Sequence, residues 1–80
     1  MFFRFSFSHV SGHSSCYYRT FTCLDEAKEW VRYCLQTWSY IQSVSLYQYL
    51  AEDSCEPGEF IGTFILDGTK VINRDSKQAL

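Results

Sequence analysis

The chain has 80 residues, of which 46% are hydrophobic and 19% aromatic, and its formal net charge is −2. This length allows one domain, and the aromatic content excludes a disordered or low-complexity chain. No apolar run approaches the roughly 20 residues of a membrane-spanning helix, and the acidic excess disfavours nucleic acid, which binds to a surplus of basic side chains. We therefore expect a single domain over residues 1–80, with no membrane segment.

The N-terminal part of the chain predicts a β-hairpin. Residues 2–10 alternate apolar and polar side chains with the period of a strand, and residues 16–22 are aromatic and β-branched. A serine- and glycine-rich turn separates the two segments. In this hairpin Phe3 and Phe21 face the core, and Tyr18 faces outward.

An amphipathic helix is predicted from Leu24 to near Thr37–Ser39. Its apolar residues recur at spacings of three and one, which places them on one stripe of a 3.6-residue helix. They are Leu24, Ala27, Trp30, Val31, Cys34, Leu35 and Trp38. A capping pair is expected at Thr22–Asp25 or at Cys23–Glu26.

Three more strands are predicted after the helix. Residues 41–51 alternate again, with tyrosines on one face and aliphatic side chains on the other. Pro57-Gly58 marks a turn before a strand at residues 60–66. Asp67-Gly68 is a type I′ hairpin signal, and residues 69–72 form a short last strand.

The element order β-β-α-β-β-β predicts an α+β fold, a two-layer sandwich in which one amphipathic helix covers a four- to five-stranded antiparallel sheet. Strict alternation through the fourth strand assigns Phe60 to the helix side and Ile61 to the outer side. Residues 74–80 are polar and are expected to fray. The aromatic side chains assigned to the core are Phe3, Phe5, Phe7, Phe21, Trp30, Trp38, Phe60 and Phe64.

The helix can cover only one side of the sheet, which leaves a tyrosine-rich surface on the other. Such patches mark interfaces, where tyrosine is enriched because it joins an apolar ring to a polar tip. The residues predicted to bind a partner are Tyr18, Tyr47, Tyr49, Ile61, Arg4 and Arg19. An acidic loop, which could orient a partner by charge, contains Glu52, Asp53, Glu56 and Glu59.

Catalytic and metal-binding patterns are weak. His9, His13 and Cys16 are spaced as an H-x3-H-x2-C run, but the close cysteine pair of most zinc sites is missing. They are therefore only weak metal candidates, and we expect no metal and no cofactor. The glycines form no phosphate-binding fingerprint, and no serine lies in a nucleophile elbow, so no catalytic residue is assigned and we expect a non-enzyme. The start of the chain lacks the features of a signal peptide, so the four cysteines are expected to be free thiols.

In its short opening hairpin at Phe2–Phe7, its Leu24–Trp38 helix and its Pro57-Gly58 and Asp67-Gly68 turns, the chain resembles small phage- or plasmid-borne inhibitors of bacterial defence of the anti-CRISPR type. This is a resemblance of type and rests on no family-specific motif. It implies a protein in the cytoplasm of a bacterial host that blocks a defence nuclease or surveillance complex by covering its surface, where the acidic loop would mimic nucleic-acid charge.

Two other functions fit the same residues. One is a single-stranded nucleic-acid-binding domain that stacks bases on the sheet aromatics, although the net charge disfavours it. The other is a small zinc-binding or structural dimerisation protein. The prediction of partner binding also allows a homodimer that forms through the tyrosine-rich face.

Overall fold

The computed structural model describes residues 1–49 and 58–80. Its elements are β1 (Phe2–His9), β2 (Ser14–Thr20), α1 (Leu24–Thr37), β3 (Ile41–Tyr49), β4 (Glu59–Asp67) and β5 (Lys70–Asn73). Within these residues the strands form one five-stranded antiparallel sheet of order β2-β1-β3-β4-β5, and α1 packs on one of its faces. The predicted α+β fold and its β-β-α-β-β-β order are confirmed.

The helix carries the chain across the sheet. Strand β1 pairs with β2 on one side and with β3 on the other, and both pairings are antiparallel. Because α1 connects β2 to β3, it crosses over β1 and covers what we call the helix face of the sheet. The opposite side is the open face. Among residues 1–49 and 58–80, no helix has the length and apolar character needed to cross a bilayer.

Alternation along the strands and the stripe of α1 build one core between the two layers. Its fully buried side chains include three of the four phenylalanines of β1, Phe3, Phe5 and Phe7, which meet the apolar side of α1. Trp30 is partly buried against this core, with its ring centroid 4.6 Å from that of Phe5 in an edge-on contact. The buried cluster comprises Phe3, Phe5, Phe7, Ala27, Val31, Cys34, Leu35, Ile41, Val44, Leu46, Phe64 and Val71.

The helix begins without the predicted side-chain cap. Cys23 is the N-cap residue and has an extended backbone, but its side chain makes no capping hydrogen bond. Instead, the Glu26 carboxylate accepts the main-chain N–H of Thr22 at 3.2 Å. Asp25 and Glu26 also place negative charge in the first turn, where the helix dipole favours it.

The assignment of Phe60 and Ile61 to the two faces was wrong. Leu46 pairs with Gly62, but the next residue, Tyr47, pairs with Phe60, so β4 carries one extra residue at a β-bulge. The bulge turns Phe60 to the open face, where it is 51% exposed. Ile61 instead packs against the core. Strict alternation could not show this, because a bulge shifts every preceding side chain by one position.

The final residues also differ from the prediction. Residues 74–80 do not fray but fold back along β5. Ile72 forms an isolated antiparallel bridge with Ala79, and the N–H of Leu80 donates to the carbonyl of Val71 at 2.9 Å. Arg32 of the helix donates to the main-chain oxygen of Leu80 at 2.6 Å. The tail therefore covers the outer side of β5.

The β4–β5 hairpin is confirmed, although its turn differs in type. Asp67 pairs with Lys70, so the two loop residues are Gly68 and Thr69. Gly68 has a φ of 64° at the first loop position, whereas Thr69 is not among the residues with positive φ. That combination is typical of a type II′ turn rather than type I′.

Candidate functional site: an aromatic platform on the open face

The strand register places four large side chains in one row across the open face. Arg4 of β1 lies opposite Tyr18 of β2 on one side and opposite Tyr47 of β3 on the other. The bulge then brings Phe60 of β4 opposite Tyr47. The next row contributes Phe2, paired with Tyr49. We call the resulting surface the aromatic platform, which consists of Phe2, Arg4, Tyr18, Tyr47, Tyr49 and Phe60.

The rings of the platform contact one another across the strands. Phe2 stacks on Tyr18 with centroids 5.8 Å apart and an interplanar angle of 16°, and it meets Tyr49 at 5.8 Å in a tilted contact. Tyr47 and Phe60 are 5.3 Å apart. Such aromatic pairs contribute about 0.5–1.5 kcal/mol each beyond area burial. The platform is therefore held in place before any partner binds.

Arg4 lies within this aromatic surface. Its guanidinium carbon is 4.2 Å from the centroid of the Tyr47 ring, a cation–π distance. Burial alone would lower the pKa of Arg4, but Tyr49, Tyr18 and Tyr47 together raise it above the ordinary value. Its Nε is buried without a hydrogen-bond partner within the described part of the chain. The platform thus holds a permanent cation that has an unused donor.

One side of the platform borders a floor of small polar side chains. The row adjacent to Arg4 contains Cys16, Ser6, Ser45 and Thr63, one from each of β2, β1, β3 and β4. The hydroxyls of Ser45 and Thr63 are 2.9 Å apart and bond to each other. Small side chains thus border the rings of the platform, and Thr63 among them is buried.

The structure brings together four of the six predicted partner-binding residues: Tyr18, Tyr47, Tyr49 and Arg4. Ile61 is not part of the surface because the bulge turns it to the core. Arg19 lies on the helix face, as its pairing with Phe3 requires, with its guanidinium 4.9 Å from the Trp30 ring centroid. Whether any of these residues binds a partner stays a prediction.

Phe60 is the platform residue that sequence reasoning assigned to the wrong face. A signal for it exists two residues later, because an isolated glycine within a strand pattern often marks a bulge. Gly62 is that glycine, and it pairs with Leu46 at the point where the register shifts.

The other predicted sites do not assemble on the platform. Glu59 begins β4 opposite Gln48, whereas Glu52, Asp53 and Glu56 lie outside the described residues. Within residues 1–49 and 58–80 no group of three His, Cys, Asp or Glu side chains could hold a metal ion. In particular, His9, His13 and Cys16 form no ligand set, and the His9 ring shares a hydrogen bond with the Ser15 hydroxyl at 3.0 Å.

The thiols occupy two environments. Cys16 and Cys23 are free and exposed, and Cys34 is free and buried in the core, while Cys55 lies outside the described residues. Burial raises the pKa of the Cys34 thiol to about 11, although nearby Arg19 partly opposes this effect. Cys34 is therefore a core side chain that stays protonated near neutral pH.

A second apolar feature lies on the other side of the molecule. An open groove of about 470 Å³ on α1 has Phe21, Trp30 and Tyr33 as its floor. Its rim is acidic, with Asp25, Glu26 and Glu29. Glu29 is already paired with Arg32 at 2.7 Å, which reduces the charge that this groove offers to a ligand.

Comparison with known proteins identifies no matching family model, no similar curated protein and no similar solved structure.

Proposed function

We propose that the protein is a non-enzymatic binding module that recognises another protein through the aromatic platform. The observation that carries the proposal is the row Tyr18–Arg4–Tyr47–Phe60, which crosses four strands in register. Tyr18 and Phe60 in this row are 55% and 51% exposed. Tyrosine and arginine are the side chains that most often dominate protein interfaces, and rings already fixed on a sheet lose little entropy on binding.

The platform also indicates the chemistry of the partner. Rings at its surface favour an apolar patch, and the Arg4 guanidinium favours a carboxylate or carbonyl oxygen close to that patch. The platform consists of aromatic rings and one guanidinium, groups that supply apolar contact and a fixed charge, and this composition supports binding. The resemblance to anti-CRISPR inhibitors suggests a nuclease or surveillance complex of bacterial defence as the partner, blocked by occlusion in the cytoplasm of a bacterial host.

The proposal can be tested with two matched pairs of tyrosine substitutions. Tyr47→Ala with Tyr49→Ala removes two rings from the platform. Tyr33→Ala with Tyr40→Ala removes two rings that are 54% and 49% exposed and lie away from it. Each pair replaces the same residue types, so a general loss of aromatic surface affects both variants alike.

The wild-type protein and both variants should be expressed in bacteria that carry a defined defence system and challenged with phage or plasmid. We expect the wild type and the Tyr33/Tyr40 variant to relieve interference and to bind the same purified defence component. The Tyr47/Tyr49 variant should bind it about 30-fold more weakly or worse, since truncating a dominant interface side chain costs about 2 kcal/mol or more. Equal binding by both variants, or loss only with Tyr33/Tyr40, would contradict the proposal.

A specific feature also favours a second function, the binding of single-stranded nucleic acid. Arg4 lies against Tyr47 among rings that could stack bases, which is how sheet surfaces hold single strands. The net charge of −2 argues against it, because phosphate binding depends on an excess of cations. Fluorescence anisotropy with labelled single-stranded DNA and RNA at low salt decides the question. A flat titration excludes this function, whereas salt-sensitive binding lost in Arg4→Ala supports it.

A further inference from the structure

The two edges of the sheet differ. The outer side of β5 is covered by the C-terminal residues, through the Ile72–Ala79 bridge and the N–H of Asn73, which donates to the carbonyl of Gln78 at 2.8 Å. Strand β2 is the other edge, and within residues 1–49 and 58–80 no strand pairs with its outer side. All seven residues of β2 are exposed.

The hydrogen bonds of the hairpin show which main-chain groups of β2 point outward. Met1 and Phe21 exchange two hydrogen bonds, of 2.8 and 2.9 Å, and the N–H of His9 donates to the carbonyl of His13 at 2.8 Å. Hydrogen-bonded pairs alternate along an antiparallel ladder, so the odd-numbered residues of β2 face β1. The N–H and C=O groups of Cys16 and Tyr18 therefore point away from the sheet.

Residues 15–19 of β2 leave this edge without a proline, a lysine or a bulge. Exposed edge strands are usually protected by proline, lysine, inward charges or bulges. Strand β2 has the sequence SSCYYRT, in which Arg19 is the one charged residue. Its guanidinium lies over the rings of Trp30 and Phe21, at 4.9 and 5.0 Å, on the helix face rather than along the edge.

We infer that β2 pairs with β2 of a second copy of this chain, in an antiparallel two-fold arrangement centred on Tyr17. In that register Cys16 and Tyr18 exchange their outward hydrogen bonds with the partner's Tyr18 and the partner's Cys16. Tyr17 meets the partner's Tyr17 at a non-hydrogen-bonded position, where side chains lie closest. Ser15 lies opposite the partner's Arg19, so no like charges meet.

The occupant is a second copy because this register pairs residues 15–19 of the strand with the same segment of the partner without a clash of charge. The covered β5 edge then stops further addition, which gives a closed dimer rather than a filament. The two open faces join into one continuous sheet surface, with the Tyr18 rings of both copies at its centre. This inference does not rest on the proposed function, and its failure would leave partner binding by the platform intact.

The test is the concentration dependence of the assembly, by analytical ultracentrifugation from about 5 to about 500 µM, a range that suits a small interface. We expect a monomer–dimer equilibrium in the wild type. Cys16→Pro removes an outward N–H without touching the β1–β2 ladder, so the variant should remain folded by circular dichroism and be monomeric. A wild type that is monomeric throughout, or a dimer that survives Cys16→Pro, overturns the inference.

A charge test checks the register independently, even if the proline variant fails to fold. Ser15→Glu places a carboxylate opposite the partner's Arg19 at two symmetric positions and should tighten the dimer about threefold, whereas Ser15→Arg should weaken it by a similar factor. Ser39→Glu, in the exposed turn before β3, is the matched control and should change nothing. Equal effects of both Ser15 variants, or a dimer lost with Tyr47→Ala and Tyr49→Ala instead, would refute the edge pairing.

Discussion

Truncation of Phe60 and Ile61 tests the β-bulge directly, because the bulge and strict alternation predict opposite results. In the structure Ile61 packs against the core, and Phe60 is 51% exposed on the open face. Ile61→Ala should therefore lower the free energy of unfolding by about 2 kcal/mol, the low end for partly buried large-to-alanine changes. Phe60→Ala loses only about half of the burial of a phenylalanine and should cost about 1 kcal/mol.

Strict alternation gives the reverse order. A phenylalanine in the core costs about 3–5 kcal/mol when truncated, whereas an isoleucine on the surface costs about 0.5 kcal/mol or less. For a domain of this size the total stability is about 4–12 kcal/mol, so these differences are large enough to measure. Each kcal/mol corresponds to a shift in melting temperature of about 4–8 °C.

Urea denaturation followed by tryptophan fluorescence provides the assay, since Trp30 and Trp38 are both partly buried against the core. The slopes of the transitions should remain equal, so that the midpoints report stability alone. A double-mutant cycle between Phe60 and Tyr47 should give a coupling of about 0.5–1.5 kcal/mol, as expected of an aromatic pair. A larger loss for Phe60→Ala than for Ile61→Ala would refute the bulge and remove Phe60 from the platform.

Three further predictions concern the core, the β4–β5 pair and the tail. Burial raises the pKa of Cys34 from 9.0 to about 11, so the native state favours the protonated thiol. The stability that the protonated Cys34 thiol contributes is complete below pH 9.0 and is lost as the pH rises towards about 11. Over that range the urea midpoint should therefore fall less in Cys34→Val than in the wild type. Gly62→Ala would place a Cβ 2.5 Å from the side-chain nitrogen of Asn73, whose amide oxygen is held by two main-chain N–H groups of the following turn. Gly62→Ala should lower the free energy of unfolding by about 1–3 kcal/mol, and adding Asn73→Ala should restore part of that loss. If the losses of the two single variants simply add in urea titrations, the contact is contradicted. Arg32→Ala removes the hydrogen bond to the main-chain oxygen of Leu80, so amide hydrogen exchange at Leu80 should become faster, and unchanged protection would show that the tail is held by β5 alone.

Much of the fold could be predicted from local pattern. The alternation of Phe3, Phe5 and Phe7 predicts β1 and its buried face, and the stripe from Leu24 predicts α1 to within two residues of its end. Alternation also assigns Tyr47 and Tyr49 to the face away from the helix. These predictions succeed because each depends on the period of one element and not on its partner.

The candidate site was only partly predictable, because a row across a sheet depends on pairing between distant segments. Arg4 and Tyr47 are opposite each other only because α1 returns the chain beside β1. The position of Phe60 depends on the extra residue that β4 accommodates next to Gly62. No local period contains that information.

The sequence by itself determined the element types, the two-layer class and the burial of Phe3, Phe5 and Phe7 beneath the helix, since burial of apolar side chains follows the periods of strand and helix. The tertiary structure alone decided the strand order, the exchange of Phe60 and Ile61 between the faces, and the contrast between a covered β5 edge and an exposed β2 edge. Each of these depends on main-chain hydrogen bonds between residues far apart in the chain, and any main-chain N–H can pair with any C=O, so residue type does not specify the partner.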